Sequence, residues 1–219
     1  MRVKAYLALL AELVVFGLVL FGAAGTVRWP QGWAFLAVFF GCSLWVTEAI
    51  YQRDPALLAE RMRAPVQKDQ PLWDRIFMPI VGLVFFAWLA AMGFDAGRLH
   101  LSHMPLWLEA IGALGVILGF WIVARVFFEN TFLAPVVKIQ EARGHKVIST
   151  GPYAVVRHPM YAGAALLIVC SALLLGSWIG VAASLALLIA IAIRAVFEER
   201  LLRTSLDGYN DYAARVRYR

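Results

Sequence analysis

The chain has 219 residues, of which 62% are hydrophobic and 16% are charged, and its formal net charge is +6. Its charged fraction lies well below the roughly 25% that is typical of soluble domains, and its mean hydropathy is +0.75. This composition excludes an ordinary soluble domain and predicts an integral membrane protein that crosses the bilayer several times.

Long apolar runs predict an all-α, polytopic transmembrane bundle of about six spans. A transmembrane helix needs about 20 mostly apolar residues, and the runs are continuous rather than alternating, which excludes a β-barrel. Gly176 and Ser177 alone separate the last two runs, so we expect a tight helical hairpin there. The predicted spans are residues 5–27, 32–51, 76–96, 105–128, 160–176 and 178–197.

The connection between the second and third spans contains the segment "DPALLAERMR", which predicts a short amphipathic helix. Asp54 suits the N-cap and Pro55 the first helical position. Leu57, Leu58 and Met62 would form its apolar face. Its basic residues would then lie at the membrane interface, as in a connector that follows the bilayer surface, and a substrate gate is the alternative.

Lysine and arginine are distributed asymmetrically between the two predicted sides. Of the 20 basic residues, only Arg28 and Arg98 would lie on the side opposite the termini. All the others would lie on the side that holds both termini. Positive residues favour the cytoplasmic side of a membrane protein, so we expect both termini in the cytoplasm. The positive net charge then reflects contact with anionic lipid headgroups and not binding of nucleic acid.

The spans and the loop that precedes the fourth span contain no convincing metal or redox motif. Cys42 and Cys170 lie far apart in apolar runs, without a CxxC pattern, so we expect free, buried thiols. His100 and His103 form an HxxH, but no third ligand is near in sequence, and no metal site is predicted.

Two carboxyl groups and two glycines inside the spans have separate interpretations. Glu12 and Glu48 are costly in a membrane, and a functional role stays open for each. Glu48 could instead reach the interface, and Glu12 could be protonated or paired with a basic residue. Gly115 and Gly119 are four residues apart, which indicates close helix packing.

The segment 138–161, "KIQEARGHKVISTGPYAVVRHPMY", is polar and rich in turn-forming residues. Pro159 can open the helix that follows, which would bring Tyr153, His158 and Tyr161 around a helix N-terminus. Such an N-terminus attracts a carboxylate, and aromatic rings can face a flat base or a cation. The segment therefore suits a small ligand with those groups, although an interfacial aromatic belt with a structural histidine stays open.

Arg194 and Glu198 lie four residues apart at the end of the last predicted span, on one helical face. They could form an ordinary ion pair between neighbouring helical turns. Alternatively, Arg194 could hold an anionic group that Glu198 orients. The spacing does not distinguish these interpretations.

Four features occur in one order across residues 136–217: "GPYAVVRHPMYAG", an apolar hairpin, Arg194 with Glu198, and "GYNDYAARV". Together they resemble the isoprenylcysteine carboxyl methyltransferase family and its relatives among phospholipid methyltransferases. The resemblance implies a single integral-membrane domain, residues 1–219. Residues 1–128 would form its variable N-terminal spans, and residues 129–219 its catalytic region with a C-terminal helix.

This resemblance implies S-adenosylmethionine as the cofactor, bound at the cytoplasmic face. Arg194 and Glu198 would be the catalytic, acceptor-binding pair. Lys138 departs from the family, whose best-known members carry an amide side chain there that touches the cofactor. A lysine could instead reach the cofactor carboxylate, or the contact could be absent. The implied cofactor-binding residues are Lys138, His145, Lys146, Val147, Ile148, Tyr153, His158, Pro159, Met160 and Tyr161.

The expected function is methyl transfer to a lipophilic acceptor that enters from the bilayer, most simply an isoprenylcysteine-type carboxylate. N- or S-methylation of a phospholipid headgroup or a thiol stays open, with His145, Glu198 or water as the base. Two other classes also stay open: an NADPH-dependent oxidoreductase that resembles sterol reductases, and a non-enzymatic lipid-binding protein. No metal or nucleic acid is expected in any of these functions.

Overall fold

The computed structural model describes residues 1–64, 66–67 and 70–218. This part of the chain is a helical bundle, and its extended pairing is limited to a single bridge between Val156 and Tyr218. The predicted all-α, polytopic fold is therefore confirmed. The helices are α1 (Arg2–Ala24), α2 (Pro30–Arg53), α3 (Pro55–Arg61), α4 (Leu72–Met92), α5 (Leu106–Glu129), α6 (Pro159–Leu174), α7 (Trp178–Ser205) and α8 (Tyr209–Arg215).

Among the described residues, five helices are long and apolar enough to cross a membrane: α1, α2, α4 with its π-helical extension Gly93–Leu99, α5 and α7. The sixth predicted span, α6, has only 16 residues. At 1.5 Å per residue it is about 24 Å long, shorter than the hydrocarbon core of about 30 Å. Its partner α7 has 28 residues, so α7 continues well beyond the start of α6.

The α6–α7 turn fixes one end of the bundle. The Ser177 hydroxyl donates to Asp95 Oδ2 at 2.5 Å, and the Trp178 amide donates to Ser102 Oγ at 2.9 Å. Because these partners lie in or after the π-helical segment, the hairpin turn packs against the loop that leads into α5. The predicted hairpin is therefore confirmed, and α6 runs from this end toward the opposite one.

Both chain termini lie at that opposite end. Arg2 Nη2 lies 2.8 Å from Glu48 Oε1 near the end of α2, and the Arg157 amide donates to the Tyr218 carbonyl at 2.9 Å. Glu48 is thus paired, whereas Glu12 lies on the exposed surface of α1. The assignment of this end to the cytoplasm stays a prediction. Among the basic residues that suggest it, Lys68 and Arg219 lie outside the described residues.

Glycines allow α5 and α6 to pack closely. A Cβ added at Gly115 would lie 2.2 Å from Cys170 Sγ, and one added at Gly112 would lie 2.5 Å from the Leu174 amide nitrogen. A Cβ at Gly119 would meet Leu167 at 2.8 Å. The predicted close packing at Gly115 and Gly119 is confirmed, and Cys170 is a free, buried thiol within it.

Helix α3 begins as predicted but turns a different face inward. The Asp54 side chain accepts from the Leu57 amide at 2.9 Å, and Pro55 opens the helix. Leu57 and Leu58 are buried, whereas Met62 lies beyond the last residue of α3 and is exposed. The predicted apolar face is therefore wrong at Met62, because the helix ends before it. Arg61 is turned inward instead of toward a membrane surface.

A second core lies beneath the segment that follows α5. Val126, Tyr153, Leu206, Tyr209 and Tyr212 are among its buried residues. Burial of these large side chains anchors α8 against the polar segment before α6. Helix α8 thereby becomes one wall of the region that contains the predicted site residues.

Candidate active site

A cavity of about 440 Å³ lies at the end of the bundle that holds the termini. Its volume falls within the roughly 300–1,000 Å³ that is usual for small-molecule sites. The lining comes from α3, α4, α6, α7, α8 and the segment between α5 and α6. Every predicted site residue lines it: Lys138, His145, Lys146, Val147, Ile148, Tyr153, His158, Pro159, Met160, Tyr161, Arg194 and Glu198. The division of these residues between cofactor and acceptor stays a prediction.

The N-terminus of α6 opens into this cavity. Pro159 is the first residue of the helix and His158 is its N-cap, as the sequence predicts. The rings of His158 and Tyr161 are stacked, with centroids 5.5 Å apart and planes 27° apart. This end of α6 therefore offers aromatic faces beside a helix N-terminus, in which Pro159 has no N–H and the Tyr161 amide donates to the His158 carbonyl at 3.0 Å.

Tyr153 is buried, and both its phenol hydroxyl and its backbone carbonyl are hydrogen-bonded. Its hydroxyl accepts from Asn130 Nδ2 at 2.9 Å, and its carbonyl accepts from the Tyr212 hydroxyl at 2.8 Å. Burial raises the pKa of Tyr153, so the phenol is neutral at physiological pH. The ring is held in place and presents an uncharged surface to the cavity.

Tyr161 and Glu198 join the two helices of the hairpin. The Tyr161 hydroxyl donates to Glu198 Oε2 at 2.5 Å, a short distance that is typical of a hydroxyl bonded to a carboxylate. Because Glu198 accepts this bond, its carboxylate is oriented into the cavity. It is the acidic side chain in the described lining.

Arg194 pairs with a residue that the sequence does not single out. Its Nε donates to Asp74 Oδ1 at 3.1 Å, and its Nη2 donates to the Pro135 carbonyl at 3.2 Å. The interpretation of Arg194 and Glu198 as an ion pair within α7 is therefore wrong, because each side chain has a partner on another segment. An acidic residue in the first turn of an apolar helix is the only sequence signal for Asp74.

Asp74 is fully buried and connects three parts of the chain. Besides Arg194, it accepts from Gln70 Nε2 at 2.7 Å and from the Val137 amide at 3.0 Å. A buried carboxylate is stable only when it is paired and hydrogen-bonded. Asp74 therefore fixes the position of Arg194 relative to the segment after α5.

Lys138 is also paired with the region between α2 and α4. Its Nζ lies 2.5 Å from Glu60 Oε1 and donates to Gln67 Oε1 at 2.7 Å. Both Lys138 and Glu60 are buried. The ammonium group is thus held against α3, and its contact with a cofactor stays a prediction.

His145 is held by stacking and by a backbone contact. Its ring stacks on Phe132 with centroids 4.8 Å apart, and its Nδ1 accepts from the Gln140 amide at 3.3 Å. Burial, together with a smaller effect of the nearby Arg143 charge, lowers the pKa of His145. The imidazole is therefore neutral at physiological pH, with its Nδ1 already engaged.

Glu199 lies behind the cavity and holds its wall together. Its carboxylate lies 3.3 Å from Arg157 Nη2 and 2.7 Å from Arg203 Nη2. Arg157 in turn donates to the Val216 carbonyl at 2.8 Å. Glu199 thus links α7 to the C-terminal segment, while its neighbour Glu198 faces the cavity.

Residues 107–207 match the family model described as phospholipid methyltransferase. The matched range covers less than half of the chain, but it contains every predicted site residue. This is a membrane methyltransferase family related to the isoprenylcysteine carboxyl methyltransferases, and its members generally use S-adenosylmethionine. No curated protein matches the chain. The family match supports a membrane methyltransferase and leaves the acceptor open.

Proposed function

We propose that the protein is an integral-membrane methyltransferase that transfers the methyl group of S-adenosylmethionine to a lipophilic acceptor. One observation carries this proposal. Residues of the α5–α6 segment, of α6 and of α7, all inside the range that matches the methyltransferase family, line one cavity at the N-terminus of α6. A cavity of about 440 Å³ is large enough for a nucleoside-sized cofactor together with the reacting end of an acceptor.

The chemistry of the lining fits this cofactor. Neutral aromatic rings at Tyr153 and Tyr161 can contact the adenine base, and the Met160 amide in the first turn of α6 can donate a hydrogen bond to the carboxylate. When bound, the cofactor supplies an electrophilic methyl group: a lone pair of the acceptor forms the new bond to carbon, the carbon–sulfur bond breaks, and its electron pair stays on sulfur. The residues of the chain align the two reactants and exclude water.

We propose a carboxylate of the isoprenylcysteine type as the acceptor. Arg194 supplies a guanidinium group that is held in the cavity by Asp74, and guanidinium groups bind carboxylates with well-defined geometry. Apolar residues from the spanning helices, among them Met78, Ala164 and Ile191, complete the wall, which suits an acceptor that arrives through lipid. An ionised carboxylate is itself the nucleophile, so the reaction needs no general base.

Methylation of a phospholipid headgroup is the second candidate, and the description of the matching family favours it. An amine acceptor would carry a positive charge before it reacts. Glu198, oriented by the Tyr161 hydroxyl, is the carboxylate in the cavity that could bind this amine and receive its proton.

Methyl transfer from labelled S-adenosylmethionine tests the proposal. Purified protein would be incubated with a prenylated cysteine, with phosphatidylethanolamine and with an alkyl thiol. A carboxyl methyl ester releases its label as methanol in base, whereas N- and S-methyl products retain it. We expect base-labile label on the prenylated cysteine. Absence of transfer to all three acceptors, with the cofactor bound, would contradict the proposed function.

Arg194→Ala is the matched variant for this assay. We expect it to retain S-adenosylhomocysteine binding and to lose methyl transfer, because we assign its guanidinium to the acceptor and not to the cofactor. Equal loss of binding and of transfer would instead assign Arg194 to the cofactor or to the fold.

A further inference from the structure

Arg61 contributes an unexpected charge to the cavity. It is the last residue of α3, a connector outside the range that matches the methyltransferase family, yet its half-buried side chain lines the cavity beside that of Arg194. Its Cζ atom lies 4.8 Å from the centroid of the Phe127 ring. The ring holds the guanidinium by a cation–π contact but does not neutralise its charge.

The other buried cations of the cavity each have a carboxylate partner. Arg194 pairs with Asp74, Lys138 with Glu60, and Arg157 with Glu199. Arg61 forms no ion pair with any residue in the part of the chain that the structure describes. Glu198, the acidic side chain in the lining, accepts from the Tyr161 hydroxyl. Arg61 is therefore a half-buried guanidinium of the cavity with no carboxylate at ion-pair distance among the described residues, while the carboxylate of Glu198 is bound to a neutral phenol.

The surroundings of Arg61 disfavour its charge. Burial and the nearby Arg194 charge lower the pKa of Arg61 to about 10, which still leaves it protonated at physiological pH. Two guanidinium groups that share a poorly solvated cavity repel each other. An anion bound between them would relieve this repulsion and form charge-assisted hydrogen bonds to both.

We propose that Arg61 and Arg194 together bind an oxyanion of the acceptor, either a carboxylate or a phosphodiester. This inference rests on the proposed methyltransferase function and deepens it, because it places part of the acceptor specificity in α3. The acceptor side is favoured over the cofactor because Met78 and Ile191, apolar residues of the spanning helices, line the same cavity as both arginines. The predicted cofactor residues lie instead on the segment 145–161, apart from Lys138, which pairs with Glu60 of α3.

The test compares Arg61→Gln with Arg53→Gln. Arg53 is a matched control because it also lies over an aromatic ring, with its Cζ 4.0 Å from the Phe128 centroid, but it does not line this cavity. Binding would be measured directly, by thermal shift or calorimetry, so that the result does not depend on turnover. The ligands are a prenylated cysteine and its neutral carboxamide, phosphatidylethanolamine and a long-chain amino alcohol without phosphate, and S-adenosylhomocysteine.

We expect Arg61→Gln to weaken binding of the oxyanion ligand roughly tenfold to a hundredfold, the range for a charge-assisted hydrogen bond. Arg61→Gln should bind the neutral counterpart of that ligand and S-adenosylhomocysteine as the wild type does. Arg53→Gln should bind every one of these ligands as the wild type does. Arg61→Lys should recover part of the loss. Selective loss for the prenylated cysteine identifies a carboxylate, and selective loss for phosphatidylethanolamine identifies a phosphodiester.

Three results would overturn the inference. Equal weakening of charged and neutral ligands would make Arg61 structural, and unchanged binding of all ligands would remove it from the site. Weaker binding of S-adenosylhomocysteine, with 5′-methylthioadenosine unaffected, would assign Arg61 to the cofactor carboxylate. Should Arg61→Gln not fold, the wild type supplies the test: it must be stabilised more by the charged ligand of a pair than by the neutral one.

If no acceptor is methylated but the oxyanion still binds through Arg61, the proposed function fails and the oxyanion site stands. If methyl transfer occurs and Arg61→Gln changes neither acceptor binding nor KM, the inference fails and the function stands.

Discussion

The hydroxyl of Tyr161 connects a predicted cofactor-binding residue to Glu198, a predicted acceptor-binding residue. Tyr161 lies in the first turn of α6 and Glu198 in the last third of α7, and the hairpin brings them within hydrogen-bond distance. The ring and the hydroxyl therefore serve different parts of the cavity. Removing the hydroxyl alone separates these contributions.

Tyr161→Phe should lower kcat about tenfold or more while changing S-adenosylhomocysteine affinity by less than about threefold. The phenyl ring is retained, but Glu198 loses the bond that orients it, and a hydrogen bond to a charged group is worth about 1.5–3 kcal/mol. Calorimetry and labelled methyl transfer would measure the two effects. A parallel loss of binding and turnover would place the hydroxyl on the cofactor.

Asp74→Asn should destabilise the protein strongly, because it leaves Arg194 without its buried carboxylate. Removing one partner of a buried ion pair costs about 3–5 kcal/mol, and Asp74 is fully buried. The double variant Asp74→Asn with Arg194→Gln should recover part of this loss. Thermal unfolding in detergent would measure the double variant and the two single variants, Asp74→Asn and Arg194→Gln. Strictly additive losses would show that the pair is not coupled.

His145 should make stability depend on pH in the mildly acidic range. Its folded pKa is lowered by burial and by Arg143, so the unfolded chain, with a histidine pKa of about 6.5, binds the proton more readily. The stability contribution is present above about pH 6.5 and is lost as the pH falls toward the folded pKa.

His145→Gln should flatten the dependence of unfolding temperature on pH below about 6.5. His103→Gln, at an exposed loop position, is the control and should keep the wild-type slope. An unchanged slope for His145→Gln would mean that its protonation is not linked to folding.

Sequence reasoning located residues that lie close to one another along the chain. Turn-forming residues and Pro159 indicate a helix start, and they bring Tyr153, His158 and Tyr161 together locally. Asp74, Glu60 and Arg61 could not be assigned to the site from the sequence. Their roles depend on how α3 and α4 pack and rotate against α7, which no local pattern specifies.

At the scale of elements, glycines allow α5 and α6 to pack closely. Among the described glycines, the shortest distance from an added Cβ to a neighbour is 2.2 Å, from Gly115 of α5 to Cys170 of α6. Gly112→Ala should lower the stability by about 1–3 kcal/mol, the usual cost of overpacking, because the new Cβ meets backbone atoms of α6 at 2.5–2.8 Å. Gly82→Ala in α4 is the control, since none of the described atoms lies within 4 Å of its added Cβ.

Thermal unfolding of these two variants in detergent would measure the difference. Gly82→Ala should be neutral or stabilising, because alanine favours a helix over glycine. Equal behaviour of the two variants would show that α5 and α6 can separate without cost.

Helix positions were predictable because hydrophobic run length is a strong signal in membrane proteins. The predicted start of the span at residue 160 differs by one residue from the observed start of α6 at Pro159. The short length of α6 was harder to predict, because the count of about six spans includes this helix of 16 residues together with the longer ones. The π-helical continuation of α4 also carries no sequence signal of its own.

At the scale of the whole molecule, the termini and the cavity share one end of the bundle, and basic residues suggest that this end is cytoplasmic. Single cysteines at Tyr218 and His103 should then be labelled from opposite sides of a sealed membrane. Both positions are exposed. Tyr218→Cys should react only with a reagent on the cytoplasmic side and His103→Cys only on the other, and the reverse pattern would place the cavity outside.

The central claim is that the cavity binds S-adenosylmethionine, and calorimetric titration of the detergent-purified wild type with S-adenosylhomocysteine tests it most directly. Tyr153→Ala, with Tyr218→Ala as the exposed control, would assign the heat to the cavity, and NADPH would be titrated in parallel. We predict saturable binding of S-adenosylhomocysteine at one site, lost in Tyr153→Ala and retained in Tyr218→Ala, with no response to NADPH. Binding of NADPH without binding of S-adenosylhomocysteine would contradict the account.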